Sequence, residues 1–180
     1  AVMPLVEVVR SPNSSDQAVA TAMNVAKNLR KTAVITSDSA GFVVNRLLEY
    51  LLGESMRAVD EGASFEQVSE AIAPLGLPMN PFDLLELVGL KVGAHVIDSM
   101  HAFSSDRFYA SANLHKLAEY GKLIDRDAKG NIKGYDKKAM EIVGNGLGKG
   151  RSSEEIFESV NLGLAKEVKQ MLDEGVVQSA

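Results

Sequence analysis

The chain has 180 residues, 46% hydrophobic and 24% charged, as expected for an ordinary globular protein with its own core. Its net charge of −5 and lack of cysteine exclude an electrostatic footprint for nucleic acid, disulfides and thiolate chemistry. The first residues do not follow the pattern of a signal peptide, and no apolar run is long enough for a membrane span. We therefore expect a cytoplasmic protein without a nucleic-acid partner.

Residues 1–38 predict the end of an α/β domain. The valine-rich run at 2–10 predicts a strand buried on both faces, 16–31 has helical spacing, and 32–36 predicts a second strand. A strand–helix–strand unit belongs to a parallel sheet, and two strands alone leave their faces and edges uncovered. We expect these residues to complete a larger domain whose first part lies upstream.

Helical spacing dominates the sequence from residue 41 onward. The predicted helices cover 42–62, 64–76, 93–103, 111–121 and 153–175, and a short helix within 78–89 starts after Pro81. The stretch 123–152 is rich in glycine and lysine, which predicts a linker or irregular segment, with a flexible linker at 144–153. The pattern therefore favours a mainly α chain after the strand–helix–strand unit.

One internal repeat joins two of the predicted helices. Residues 51–63 and 164–176 align without gaps, so that Glu54 matches Glu167 and both copies end in Asp-Glu-Gly. Duplicated helical units are a known sign of repeat architecture. The alignment predicts that a second helical repeat begins within 153–180.

Two polar residues in apolar surroundings are candidate site residues. Glu7 interrupts the first strand, either as a strand-end carboxylate that reaches water or a core arginine, or as a carboxylate that orients a catalytic imidazole. Asn45 lies in the first turn of the helix at 42–62, which Asp38 or Ser39 can cap. Its amide either satisfies a carbonyl of the turn or donates to a substrate.

No stretch predicts a metal site. Residues 125–136 have the aspartate and glycine spacing of a calcium-binding loop, but Lys129 would stand in the coordination shell, so we predict a tight polar turn. His95 and His101 are six residues apart, which separates them on a helix surface, and His115 lies on another predicted helix.

Two segments carry a resemblance to a known family. The stretch MPLVEVVRSPNSSDQAVATAMNVAKNLRKTAVITSDSAGFVVNRLL resembles the domain junction of the NAD-dependent 3-hydroxyacyl-CoA dehydrogenases. The stretch GLPMNPFDLLELVGL is similar to that family's G-x-P-M-G-P-F-x-L-x-D-x-V-G-L segment, with Asn80 and Glu86 at the variant positions. Long members carry two tandem helical domains, so the repeat resembles part of the alpha subunit of a multifunctional fatty acid oxidation complex.

The resemblance implies a mainly α fold, a helical 3-hydroxyacyl-CoA dehydrogenase C-terminal domain preceded by a strand–helix–strand remnant of a Rossmann domain. Residues 1–38 would be the remnant of the NAD-binding domain, and 39–122 the first helical domain. A linker or irregular segment would follow at 123–152, and a second helical repeat would start within 153–180.

The resemblance also implies a reaction of fatty acid β-oxidation. In the family, NAD takes hydride from C3 of a 3-hydroxyacyl-CoA, a histidine removes the hydroxyl proton, and a glutamate orients that histidine. Glu7 matches the orienting glutamate, and Asn45 matches the asparagine that contacts the substrate. The histidine would precede Ala1, and the G-x-G-x-x-G fingerprint is missing, so we expect this chain alone to be inactive and to bind neither NAD nor a metal.

Two other functions fit parts of the pattern. The chain could be a non-catalytic helical module for dimerisation or docking, or the C-terminal domain of a short-chain 3-hydroxyacid dehydrogenase. For all three functions we expect a homodimer, formed through the helical domain or through the exposed strands.

Overall fold

A computed structural model describes residues 3–178, within which α-helices dominate and four short strands form two separate pairs. The elements are β1 Leu5–Arg10, α1 Asp16–Asn28, β2 Thr32–Ser37, α2 Val44–Asp60, α3 Phe65–Ile72, α4 Pro81–Val88, α5 Leu90–Phe103, α6 Ala112–Tyr120, β3 Ile124–Arg126, β4 Ile132–Tyr135, α7 Lys137–Val143 and α8 Ser153–Asp173. The predicted class, mainly α after a strand–helix–strand unit, is confirmed. Across the described residues, no helix is both long enough and apolar enough to traverse a bilayer.

The strand–helix–strand unit forms as the sequence predicts. β1 and β2 pair in parallel, in a register that runs from Leu5 opposite Thr32 to Arg10 opposite Ser37. The intervening helix α1 begins where the Ser15 hydroxyl accepts the Ala18 amide, so that one otherwise unpaired donor of the first turn is satisfied.

The chain divides into two compact units, one made of residues 1–47 with 165–180 and the other of residues 48–164. This division differs from the predicted bounds at 38, 122 and 152. The reason is that two long helices, α2 and α8, each contribute residues to both units.

Aromatic rings fill the centre of the helical unit at 48–164. The ring of Phe65 lies 4.8 Å from that of Phe82, edge to face, and 4.9 Å from that of Tyr135. Such pairs stabilise a core by about 0.5–1.5 kcal/mol beyond the burial of their area. The same core contains buried aliphatic side chains of α2, α3, α5, α6 and α8, namely Leu52, Met56, Val59, Val68, Ile72, Ile97, Leu114, Leu117, Ile156 and Val160.

The stretch 123–152, expected to be a linker or irregular, contains regular structure. β3 and β4 pair as an antiparallel hairpin, and α7 follows directly. The hairpin forms because Ile124 and Tyr135 pack into the aromatic core, which the glycine and lysine content of the stretch does not reveal. Its turn is polar as predicted, since the Asp127 carboxylate accepts the amides of Lys129 and Asn131.

Both departures from the family-like segment have local partners. The side-chain oxygen of Asn80 accepts the amides of Phe82 and Asp83, so that Asn80 caps α4. The Glu86 carboxylate accepts the amide of Leu123 at 2.8 Å, which ties α4 to the start of the hairpin.

Candidate functional site

The Glu7 side chain reaches from β1 to the first turn of α2. Its Oε2 accepts the amide of Val43 at 3.0 Å, and its Oε1 accepts the amide of Val44 at 3.0 Å. A carboxylate at this end of a helix is stabilised by the free amides and by the positive pole of the helix dipole. Since α2 has no acidic residue in its own first turn, Glu7 supplies the cap that the sequence assigned to Asp38 or Ser39.

The turn before α2 has an unusual backbone. Gly41 and Phe42 both have positive φ, at 71° and 47°. A bulky residue in the left-handed region costs about 1–3 kcal/mol and persists where the surroundings determine it. The turn directs the consecutive amides of Val43 and Val44 to Glu7, so the cap depends on this conformation.

Asn45 is the second residue of α2, and its side chain is exposed. Among residues 3–178 the side-chain amide of Asn45 has no hydrogen-bond partner, so both its NH2 group and its oxygen can contact a ligand. The amide group that Glu7 binds on Val44 immediately precedes Asn45 in the chain. The two candidate residues, 38 positions apart in sequence, are therefore both placed at the first turn of α2.

Arg46 is a buried residue that sequence reasoning missed. Its side chain has 0% exposure, and its Nε donates to Glu167 Oε1 at 2.8 Å. The repeat contained the signal. The aligned residue Glu54 is also buried, and its carboxylate lies 2.7 Å from the guanidinium of Arg151. Each copy of the repeat therefore buries its glutamate against an arginine from elsewhere in the chain.

Glu49 lies one helical turn after Asn45 and is 6% exposed. Its Oε2 is buried and has no hydrogen-bond partner within the described part of the chain. Loss of solvation by burial raises the pKa of Glu49 from 4.5 to about 7, so the carboxyl group is protonated over much of the acidic range.

The Glu49 pKa predicts a pH-dependent effect of the neutral variant Glu49→Gln. Because protonation is favoured in the folded state, the contribution of Glu49 to stability is greatest below pH 4.5, falls between pH 4.5 and 7, and levels off above. We expect the two proteins to be similar near pH 4.5 and the variant to be more stable by about 3 kcal/mol at pH 8. Urea unfolding at several pH values measures this difference, and a difference that does not change with pH would contradict the prediction.

Two histidines of the helical unit share a surface cavity. His95 and His115 line a depression of about 260 Å³ between α5 and α6, and His115 Nε2 lies 3.1 Å from Asp98 Oδ1. Within residues 3–178, no three histidine, aspartate or glutamate side chains are grouped so that they could hold a metal ion together.

Comparison with known families matches two models in tandem. Residues 41–134 match the family described as 3-hydroxyacyl-CoA dehydrogenase, C-terminal domain. Residues 1–39 match the family described as 3-hydroxyacyl-CoA dehydrogenase, NAD binding domain. The boundary between the two matches falls in the turn that leads from β2 to α2.

Solved structures give the same result. FadB2 of M. tuberculosis is 34% identical to this chain, with a TM-score of 0.62. The alignment covers 77% of this chain and 46% of FadB2. The (S)-3-hydroxybutyryl-CoA dehydrogenase PaaH1 of Ralstonia eutropha is 30% identical (66% of this chain, 43% of that chain, TM-score 0.61). The 3-hydroxybutyryl-CoA dehydrogenase of Escherichia coli K12 is 25% identical (84% of this chain, 30% of that chain, TM-score 0.62). The chain thus spans less than half the length of each of these proteins.

Proposed function

Because this chain belongs to the 3-hydroxyacyl-CoA dehydrogenase family, we propose that it supplies the substrate-binding helical domain and part of the active site of an NAD-dependent dehydrogenase of β-oxidation. In the full-length protein the substrate would be a 3-hydroxyacyl-CoA. NAD, when bound there, would accept the hydride released from C3. The residues of this chain that take part are Glu7 and Asn45.

The observation that supports this proposal is that the Glu7 carboxylate binds the first turn of α2, the turn that also carries Asn45. The Glu7 carboxylate is fixed by two backbone amides, so its orientation is settled before any ligand arrives. Each carboxylate oxygen keeps lone-pair capacity for a further donor, which fits a role in orienting an imidazole and stabilising its protonated form. The exposed Asn45 amide can donate to the oxygen on the reacting carbon.

NAD binding itself is not assigned to residues of this chain. Dinucleotide binding in the Rossmann fold depends on a glycine-rich turn between a strand and a helix. Between β1 and α1 the chain instead has Ser-Pro-Asn-Ser-Ser, in which the hydroxyl groups of Ser11 and Ser14 form a hydrogen bond. The roles proposed here are therefore limited to orienting an imidazole through Glu7 and contacting the substrate through Asn45.

The substitution Asn45→Ala tests the proposal in the full-length protein. We expect kcat/KM for a 3-hydroxyacyl-CoA to fall about 10- to 100-fold, because one donor to the reacting oxygen is lost in the transition state. Asn161→Ala, which removes an exposed asparagine from α8, should leave turnover unchanged. Spectrophotometry of NADH formation measures both. Wild-type turnover by Asn45→Ala would contradict the proposed role of Asn45.

The same experiment separates a second candidate function, a helical module for dimerisation. That function is favoured by exposed apolar side chains at the end of α4 and the start of α5, since Leu87, Val88 and Val92 are 68%, 46% and 52% exposed. A pure dimerisation module predicts no effect of Asn45→Ala on any turnover.

Similarity to two 3-hydroxybutyryl-CoA dehydrogenases favours a CoA thioester over a free 3-hydroxyacid as the substrate.

A further inference from the structure

The start of α2 is held by the C-terminal part of α8 as well as by Glu7. Arg46 Nε donates to Glu167 Oε1 at 2.8 Å, and Arg46 Nη2 lies 2.7 Å from Glu174 Oε2. Glu167 is 3% exposed and Glu174 is 29% exposed. The guanidinium therefore joins two carboxylates seven residues apart, one within α8 and one directly after its end.

The charges of Arg46, Glu167 and Glu174 stabilise one another. An arginine with no exposed surface needs carboxylate partners, because an isolated buried charge is strongly disfavoured. Glu174 directly follows α8, where the helix dipole disfavours a carboxylate, so Arg46 offsets that effect as well. The Gln170 amide donates to the other oxygen of Glu174 at 2.9 Å, which leaves this carboxylate little freedom.

The same C-terminal segment also binds the end of β2. The carbonyl of Val176 accepts the amide of Ser37 at 2.9 Å, and Val176 is 2% exposed. Residues 38–43, which form the strained turn, are therefore bracketed by two attachments to residues 167–176. One attachment is at Ser37 before the turn, and the other is at Arg46 after it.

We infer that Arg46, Glu167 and Glu174 are positioning residues for the proposed dehydrogenase site. Neighbouring residues of a helix point about 100° apart, so anchoring Arg46 inward fixes Asn45 outward. The anchor also holds the first turn of α2 where its amides meet Glu7. This inference rests on the proposed function, because it assigns the cluster a role in the reaction attributed to Glu7 and Asn45.

The variant Glu167→Gln tests this role in the full-length protein, because it keeps the side-chain shape and removes the charge that holds Arg46. We expect kcat to fall about 10- to 100-fold at a temperature where circular dichroism shows the folded protein, since small misplacements of site residues reduce turnover strongly. Combined with Asn45→Ala, the variant should cause a smaller further loss than it causes alone, because part of its effect acts through the Asn45 side chain. Independent losses that multiply would overturn the inference.

Hydrogen exchange gives a readout that does not need activity. In Glu167→Gln the amides of Val43 and Val44 should exchange about ten-fold faster or more, as measured by mass spectrometry of the peptide at 38–46. If the wild type shows no dehydrogenase activity but this exchange increases, the proposed function fails while the anchoring of the first turn of α2 stands.

The repeat offers a matched control in Glu54→Gln. This variant breaks the corresponding pair of the buried Glu54 with the partly exposed Arg151 and should lower stability without changing exchange at Val43 and Val44 or turnover. Should Glu167→Gln fail to fold, Glu174→Gln alters the more exposed partner and should change both readouts in the same direction, to a smaller extent. Wild-type exchange and turnover in Glu167→Gln, or equal effects of Glu54→Gln, would overturn the inference.

Discussion

Replacing Gly62 with alanine should lower the free energy of unfolding by about 3 kcal/mol or more. Gly62 lies two residues after α2 and has φ of 108°, which residues with a side chain rarely adopt. An added Cβ would also lie 2.4 Å from the Cα of Gly148, a backbone atom that cannot move aside alone.

The partner of Gly62 is the glycine-rich segment 144–152. A Cβ on Gly148 would lie 2.7 Å from the Cα of Gly62, so each glycine requires the other. The neighbouring Arg151 fixes the segment further, since its guanidinium lies 2.7 Å from the Glu54 carboxylate and 2.6 Å from that of Glu61. The segment is closely packed against the end of α2, which differs from the flexible linker expected at 144–153.

Gly76→Ala is the matched control for Gly62→Ala. Gly76 also follows a helical turn and has φ of 66°, but an added Cβ would have no atom within 4 Å. Only the backbone conformation is then strained, which costs about 1 kcal/mol. Urea unfolding of the three proteins measures the comparison. Equal losses for the two variants would show that contact with Gly148 contributes nothing.

Local patterns explain which parts of the fold could be predicted. Helices such as α3 and α6 follow from apolar spacing and from a serine at the N-cap, since Ser64 and Ser111 each accept an amide three residues later. The hairpin at 124–135 could not be predicted, because its formation depends on Tyr135 packing against Phe65, 70 positions earlier. Sequence spacing contains no information about such a contact.

The candidate site, too, could be predicted only in part from the sequence. A carboxylate in an apolar strand and an asparagine in an apolar helix are visible in the local sequence, which therefore predicts Glu7 and Asn45 as candidate site residues. Their partners are not visible locally: the carboxylate of Glu7 binds amides 36 and 37 residues away, and Arg46 binds Glu167, 121 residues away. The alignment of Glu54 with Glu167 is the one long-range signal in the sequence, and it predicts a helical repeat without indicating that the two carboxylates are buried or which arginines they bind.

Replacing Glu7 with glutamine should have a structural and a catalytic effect that can be measured separately. Glutamine replaces one of the two carboxylate oxygens with an NH2 group, which cannot accept, so the pairing of one oxygen with each of the amides of Val43 and Val44 is broken. The charge at the helix terminus is also lost. We expect the free energy of unfolding to fall by about 1–2 kcal/mol. In the full-length protein we expect kcat to fall by about 10²- to 10⁴-fold, because an imidazole would lose its orienting carboxylate.

Ser15→Ala is the control that isolates the structural part. It removes the cap of α1, where the Ser15 hydroxyl accepts one amide, and should cost about 1 kcal/mol without affecting turnover. The catalytic part has its own signature in the pH profile. A carboxylate beside an imidazole raises the pKa of the imidazole, so its loss should shift the acidic limb of kcat/KM to lower pH. If Glu7→Gln loses stability but keeps wild-type turnover and the same pH profile, Glu7 is a helix cap alone.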